Sequence, residues 1–133
     1  MLRPRQTKFR KVKKGRIRGI ETRSTDTRFG SFGLRAIESG RITARQIESA
    51  RRVITRRMNR RGKVWIKIFP SMPVTSKPVE VRMGKGKGAV DYWVCPVRKG
   101  TLLYEVGGVS REIALQALHG AATKLPVATK VIF

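Results

Sequence analysis

Ile42-Thr43-Ala44-Arg45-Gln46-Ile47-Glu48-Ser49-Ala50-Arg51-Arg52-Val53-Ile54-Thr55-Arg56-Arg57-Met58-Asn59-Arg60-Arg61-Gly62 is the stretch on which the fold turns. Thr43 is a good N-cap, and Gln46 three residues on completes a capping box. Ile42 before the cap and Ile47 after it form a hydrophobic staple. Gly62 supplies the stop, because glycine tolerates the left-handed conformation that ends helices. The pattern predicts a helix over 44–61. At about 3.6 residues per turn, Ile47, Ala50, Ile54 and Met58 share one face. Arg45, Arg52 and Arg56 take the opposite face, with Arg51 and Arg57 on the flanks. Counting Arg41 just ahead of the cap, the stretch holds eight Arg and no Lys. A guanidinium fork suits bidentate contact with phosphate. A face that only keeps the helix soluble is the alternative, and it would more often mix Lys with Glu.

Outward from this helix the sequence alternates strands and turns. Before it, Phe29-Gly30-Ser31-Phe32-Gly33-Leu34-Arg35-Ala36 reads as a strand whose glycines point to a bulge or a close backbone approach. Glu38-Ser39-Gly40 turns the chain. After it, Val64-Trp65-Ile66-Lys67-Ile68-Phe69 is β-branched and aromatic and reads as a strand. Pro70, Pro73 and Pro78 make the next segment an unsuitable central strand. Val79-Glu80-Val81-Arg82 reads as the start of a short strand. Tyr92 to Val97 and Leu102 to Val106 read as two more, joined by a turn at Arg98-Lys99-Gly100. Ser110 caps a second helix to about Lys124, with Ile113, Ala117, Leu118, Ala121 and Leu125 on one face. Pro126 stops it, and Val127 to Phe133 adds a closing strand. The aromatics Phe29, Phe32, Trp65 and Phe69 fit core packing better than an exposed stacking platform.

The chain has 133 residues, enough for one domain with a modest core. Its 31 Lys and Arg against eight Asp and Glu give a formal net charge of +23. Such a chain repels itself, and a dense polyanion relieves the repulsion. Residues 1–63 carry 21 basic and four acidic side chains, and residues 64–133 carry ten and four. The first half is therefore the half that faces the polyanion. Residues 1–28 form a basic arm. Arg3, Arg5, Lys8, Arg10, Lys11, Lys13, Lys14, Arg16 and Arg18 crowd its first 18 positions with no acid among them. Too little of it is apolar for it to order itself. It reads as an extended nucleic-acid arm, with a solvated tail as the alternative. Residues 29–133 form a single globular domain.

A second basic feature interrupts that domain: Arg82-Met83-Gly84-Lys85-Gly86-Lys87-Gly88. Alternating glycine and lysine lets the backbone approach a polyanion, with lysines as mobile charges and successive N–H groups as an anion nest. It is neither a Walker A loop nor a dinucleotide fingerprint, since the spacing differs and a strand follows. A floppy hairpin tip is the alternative. The lone Cys95 reads as a small buried thiol, and no zinc spacing exists. His119 has no catalytic partner, and the acids are few and scattered. A general acid–base pair is unsupported, so no enzyme, cofactor, metal or small-molecule substrate is expected. No apolar run is long enough for a membrane span.

Several blocks resemble one family. Met1-Leu2-Arg3-Pro4-Arg5-Gln6-Thr7-Lys8-Phe9-Arg10-Lys11 with Lys14-Gly15-Arg16 is similar to the start of bacterial large-subunit ribosomal protein sixteen. So are Phe29 to Leu34, Ile42 to Glu48, Gly62 to Ile66, Arg82 to Gly88 and Leu103-Tyr104-Glu105, essentially end to end and in order. The resemblance implies an α+β fold of the hammerhead type, a mixed sheet with two packed helices. It implies a site on large-subunit rRNA near the base of the central protuberance, among neighbouring large-subunit proteins and beside the aminoacyl-tRNA site. It implies roles in late subunit assembly and tRNA positioning, with the glycine-lysine loop reaching toward the tRNA. In some bacterial members the arginine matching Arg82 is hydroxylated. Ser110 stands where the family often has proline, and the chain is short after Pro126. Because the match begins at Met1, no transit peptide is expected. That points to a ribosome in the bacterial cytoplasm, or in a mitochondrial matrix or plastid stroma whose genome encodes it.

The expectation is thus a structural ribosomal protein. Its rRNA contacts would come from the nine arm cations named above and from Arg45, Arg52, Arg56 and Arg60. Residues 82–88 would lie next to tRNA. Phosphate contacts would supply most of the binding, and RNA shape the specificity. The alternative from another class is a free nucleic-acid chaperone or DNA-compacting protein.

Overall fold

In the computed structural model, Thr43 and Gln46 lock the start of helix α1 (Ala44–Arg57) from both sides. The Gln46 N–H donates to the Thr43 hydroxyl at 3.2 Å, and the Thr43 N–H donates to the Gln46 side-chain oxygen at 2.9 Å. The structure describes residues 2–133, so Met1, where the resemblance begins, lies outside the described residues. Ile47, Ala50, Ile54 and Met58 are buried as the predicted apolar face, and Ala44 is buried with them.

The helix stops at Arg57, short of the predicted Arg61. Asn59 and Arg60 adopt positive φ, 51° and 58°, and left-handed residues cannot continue a right-handed helix. The Arg60 N–H turns back to the Thr55 carbonyl at 3.0 Å. Gly62 has φ 72°, but a further constraint acts there: a Cβ would lie 2.3 Å from the Gly107 carbonyl oxygen. It is a close-approach glycine beyond the cap.

The α+β class is as expected, while the strands form two antiparallel sheets where one mixed sheet was predicted. In the first, β3 (Lys63–Ile66), β6 (Leu102–Gly107), β1 (Phe32–Ala36) and β7 (Thr129–Ile132) lie in that order. In the second, β2 (Gly40–Thr43), β5 (Ala89–Val97) and β4 (Met72–Ser76) do the same. Every strand pair is antiparallel, and the parallel contact is an isolated bridge between Ile20 and Lys99. The turn at Arg98-Lys99-Gly100 therefore does not close a hairpin. Both edges of β6 are taken by β1 and β3, so the turn carries the chain from one sheet to the other.

Other local expectations divide. Gly30 is the close approach foreseen: a Cβ would sit 2.6 Å from the Val106 carbonyl oxygen. The register shift falls nearby, between Leu34 and Arg35. Pro73 lies in β4, at an edge, where a missing N–H costs no ladder bond. Val79 to Arg82 form no strand; the Val81 N–H closes a turn on the Pro78 carbonyl. β2 occupies Gly40 to Thr43, partly where a turn was expected.

Helix α2 (Arg111–Ala122) ends before Lys124, and the Ser110 hydroxyl makes no cap bond. Its buried face is Ala114, Ala117, Leu118 and Ala121, with Ile113 left exposed. Small residues let α2 lie close to α1: a Cβ on Gly120 would meet Val53 at 3.0 Å. Both helices pack over one face of the four-stranded sheet, where Leu34, Tyr104 and Val106 complete the core. The Tyr104 hydroxyl reaches α1, donating to the Ile47 carbonyl at 2.8 Å. Central strand β6 is buried on both sides, because residues 24–30 of the N-terminal segment lie across its other face.

Candidate nucleic-acid interface

The outer face of α1 develops as its periodicity requires. Arg45, Arg52, Arg56 and Arg57 are exposed, as are Arg60 and Arg61 in the turn beyond. Glu48 is the one acid in the helix. It accepts from Arg51 at 2.8 Å and from Arg52 at 3.2 Å. The Arg51 hydrogen bond is the main reason the Glu48 carboxyl is pulled down to about 2, against a smaller opposing effect of burial. Glu48 therefore orders Arg51 and Arg52 and offsets one of their charges. Among the described residues, Arg45, Arg56, Arg57, Arg60 and Arg61 have no carboxylate partner. Arg51, Arg60 and Arg61 also line a cleft of about 350 Å³ past the end of the helix, floored by Met58, Val64 and Ile66.

All nine named cations of the arm, from Arg3 to Arg18, are exposed. Residues 2–19 contain no helix or strand, yet the segment is fastened to the body at several points. Arg41 donates to the carbonyls of Lys14 and Gly15, each at 3.1 Å. Lys87 donates to the Val12 carbonyl, and Lys11 donates to the Lys87 carbonyl at 3.2 Å. The Glu21 N–H bonds the Lys99 carbonyl at 2.8 Å. Beside the arm runs a groove of about 530 Å³ lined by Lys14, Arg16, Arg18, Arg41, Lys67 and Arg98, with Glu21 as its single acid.

In the glycine-lysine loop, Arg82, Met83, Gly84, Lys85, Gly86 and Lys87 are exposed. Open space surrounds Gly84 and Gly86, so glycine there is not demanded by packing. Gly88 is different: a Cβ would lie 2.2 Å from the Ser76 carbonyl oxygen. Lys77, itself exposed, holds the loop by donating to the Gly84 carbonyl at 2.7 Å. The two loop lysines were expected to behave alike. Instead Lys87 is tied to the arm, while Lys85 has no hydrogen-bond partner among the described residues.

One cluster was missed in the sequence. Phe29 is 64% exposed, not packed in the core as expected. Its ring stacks on Trp65 with centroids 6.1 Å apart and planes 21° apart. The Lys67 ammonium lies 4.5 Å from the Phe29 centroid. Below them Glu105 is fully buried and accepts the N–H groups of Phe29 at 2.6 Å, Gly30 at 2.8 Å and Arg28 at 3.2 Å. Burial pushes its carboxyl toward the neutral form, but the three N–H bonds and Lys67 outweigh this and hold it below the ordinary carboxylate range. The alternation Val64-Trp65-Ile66 was the available signal, since Val64 and Ile66 face the core and Trp65 must face away. The pairing with Phe29, far away in sequence, carried no signal.

A family model described as Ribosomal protein L16p/L10e matches residues 4–132. The chain belongs to that family. It is also 57% identical, over 132 residues, to the large ribosomal subunit protein uL16 of Chelativorans sp. (strain BNC1), covering 99% of this chain and 96% of that one. The L16p/L10e proteins are ribosomal proteins and not an enzyme family. In this L16p/L10e chain Cys95 is buried, and burial raises its thiol's pKa away from the reactive range. His119 is exposed on α2. Among the described residues, no three His, Cys, Asp or Glu cluster as metal ligands, and no helix is long and apolar enough to cross a membrane.

Proposed function

We propose that this L16p/L10e protein is a structural constituent of the large ribosomal subunit, bound to large-subunit rRNA near the base of the central protuberance. Arg45, Arg52, Arg56 and Arg60 contact phosphates from the α1 side. Arg3, Arg5, Lys8, Arg10, Lys11, Lys13, Lys14, Arg16 and Arg18 do so along the arm. Residues 82–88 face tRNA in the aminoacyl site, and the protein supports late subunit assembly beside neighbouring large-subunit proteins. The bacterial source of its relative supports a bacterial cytoplasm over a mitochondrial matrix or plastid stroma.

The observation that carries this reading is a large set of exposed cations left without carboxylate partners among the described residues. Each one that meets a phosphate releases a condensed counterion, and that release drives association. The Arg face is carried on a helix that is capped and packed, which gives shape recognition a fixed scaffold.

Particle assembly tests it. Arg45, Arg52 and Arg56 changed together to Glu should fold, since all three are exposed, but should fail to enter large subunits on magnesium gradients. Normal incorporation would remove the α1 face from the interface. Wild-type protein sedimenting away from subunits would favour a free nucleic-acid chaperone. Lys85→Ala should spare assembly while weakening aminoacyl-tRNA binding; equal loss of both would make the loop an rRNA anchor instead.

A further inference from the structure

Phe29 is a large ring at the surface, and three interactions hold it where it is. It lies offset on Trp65, a geometry favoured for aromatic pairs. Lys67 covers part of it as a cation–π partner. Glu105 grips its main chain through a buried carboxylate. Trp65 is itself backed by glycine: a Cβ on Gly107 would meet the indole at 3.2 Å. An exposed aromatic fixed this firmly is pre-organised, so a partner that stacks on it loses little further side-chain entropy.

The surroundings say what kind of partner fits. Alternation along β3 and its extension puts Lys63, Trp65 and Lys67 on one side. Arg28 precedes Phe29 and is exposed. Glu105, the acid that holds its main chain, is fully buried and taken up by its N–H donors and by Lys67. An exposed aromatic ring with cations at neighbouring positions matches a nucleotide with its base unstacked from a helix, the ring taking the base and the cations its phosphates. An apolar protein segment would bury these cations without compensation.

We infer that Phe29, backed by Trp65 and pinned by Glu105, is a stacking platform for an unpaired nucleobase of the RNA, with Lys63 and Arg28 on its phosphates. The inference rests on the RNA-binding reading above and adds a base contact to an interface otherwise made of phosphate contacts. Stacking on an aromatic ring is tolerant of base identity, so the platform selects for an unpaired nucleotide at a fixed place more than for a letter.

The test is binding of wild type, Phe29→Leu and Phe29→Tyr to a transcript of the large-subunit rRNA across a salt series. Leu keeps apolar bulk and removes the ring. It should weaken binding roughly fivefold to a hundredfold, as loss of one base stack does, with the salt slope unchanged because no charge is lost. Tyr keeps the ring and should bind like wild type. Equal binding by Phe29→Leu, or equal loss by Tyr and Leu, overturns the platform. Normal transcript binding by Phe29→Leu with failed incorporation into subunits makes the occupant a protein, and overturns it too. Failure of the wild type to bind the transcript defeats the RNA reading itself, a separate outcome. As a check independent of variant folding, ultraviolet crosslinking of wild-type protein to the transcript should map to the peptide containing Phe29; crosslinks confined to the arm and α1 would count against the platform.

Discussion

Replacing Glu105 should cost the protein more stability than replacing any of its other acids, and the loss should depend on pH. The carboxylate accepts three main-chain N–H groups from Arg28 to Gly30, with the Lys67 ammonium at 3.6 Å. A hydrogen bond to a charged group contributes about 1.5–3 kcal/mol, and a buried donor left unpaired costs about 1–3 kcal/mol. Against this stands the penalty for burying the charge. The direction of the pKa shift decides between them: the carboxyl is held below its ordinary range, so the donors win. Glu105→Ala should therefore lose about 3–5 kcal/mol. Glu105→Gln keeps one acceptor but turns an NH2 toward donors, and should lose about 2 kcal/mol. For a chain of this size, each kcal/mol lowers Tm by roughly 3–5 °C. A depressed folded-state pKa means the unfolded chain takes up the proton first. The stabilisation is thus complete above the unfolded carboxyl value of about 4.3 and is lost as pH falls through the folded value. Thermal unfolding followed by circular dichroism should show the gap between wild type and Glu105→Gln widest near neutrality and shrinking below about pH 4. A constant gap from neutral to acid pH, or no gap at neutral pH, would refute the reasoning.

Three further outcomes are expected. Thr43→Ala removes one side of the capping box and should lower stability by about 1 kcal/mol in denaturant unfolding, with an unchanged m-value. Gly30→Ala places a methyl 2.6 Å from the Val106 carbonyl oxygen, where no flexible side chain can yield, and should cost about 1–3 kcal/mol by the same measurement. Arg45, Arg52 and Arg56 changed together to Ala should reduce the slope of log K against log salt for rRNA binding by about two to three, with Arg52 contributing least because Glu48 already offsets it.

How much of this was legible in the sequence depended on distance along the chain. The start of α1 was readable because Thr43 and Gln46 are three residues apart and their bond is local. Its end was not: Asn59 and Arg60 turn left-handed with no glycine to announce them, and the glycine that does stand there, Gly62, answers to Gly107 across the sheet. Leu102 to Val106 read as a strand joined to the preceding one by a turn, and a turn does not say which strands it pairs with. Burial on both faces marks it as a central strand between β1 and β3. The exposure of the basic side chains was readable from charge and period. The fastening of the arm was not, because it uses main-chain carbonyls, and every residue has one. The Phe29 platform was hidden for a related reason: its parts come from the N-terminal segment, β3 and β6.

The way the arm is fastened has an electrical consequence. With eight acids for 31 bases, the chain has too few counter-charges to clamp its own basic segments by ion pairing. Arg41, Lys87, Lys11 and Lys77 bind neutral peptide oxygens instead. A clasp of that kind shapes the polycation while subtracting nothing from its potential. It also lacks the steep salt sensitivity of a clasp between opposite ions, so an ionic strength that detaches the protein from a polyanion need not detach its arm from its body.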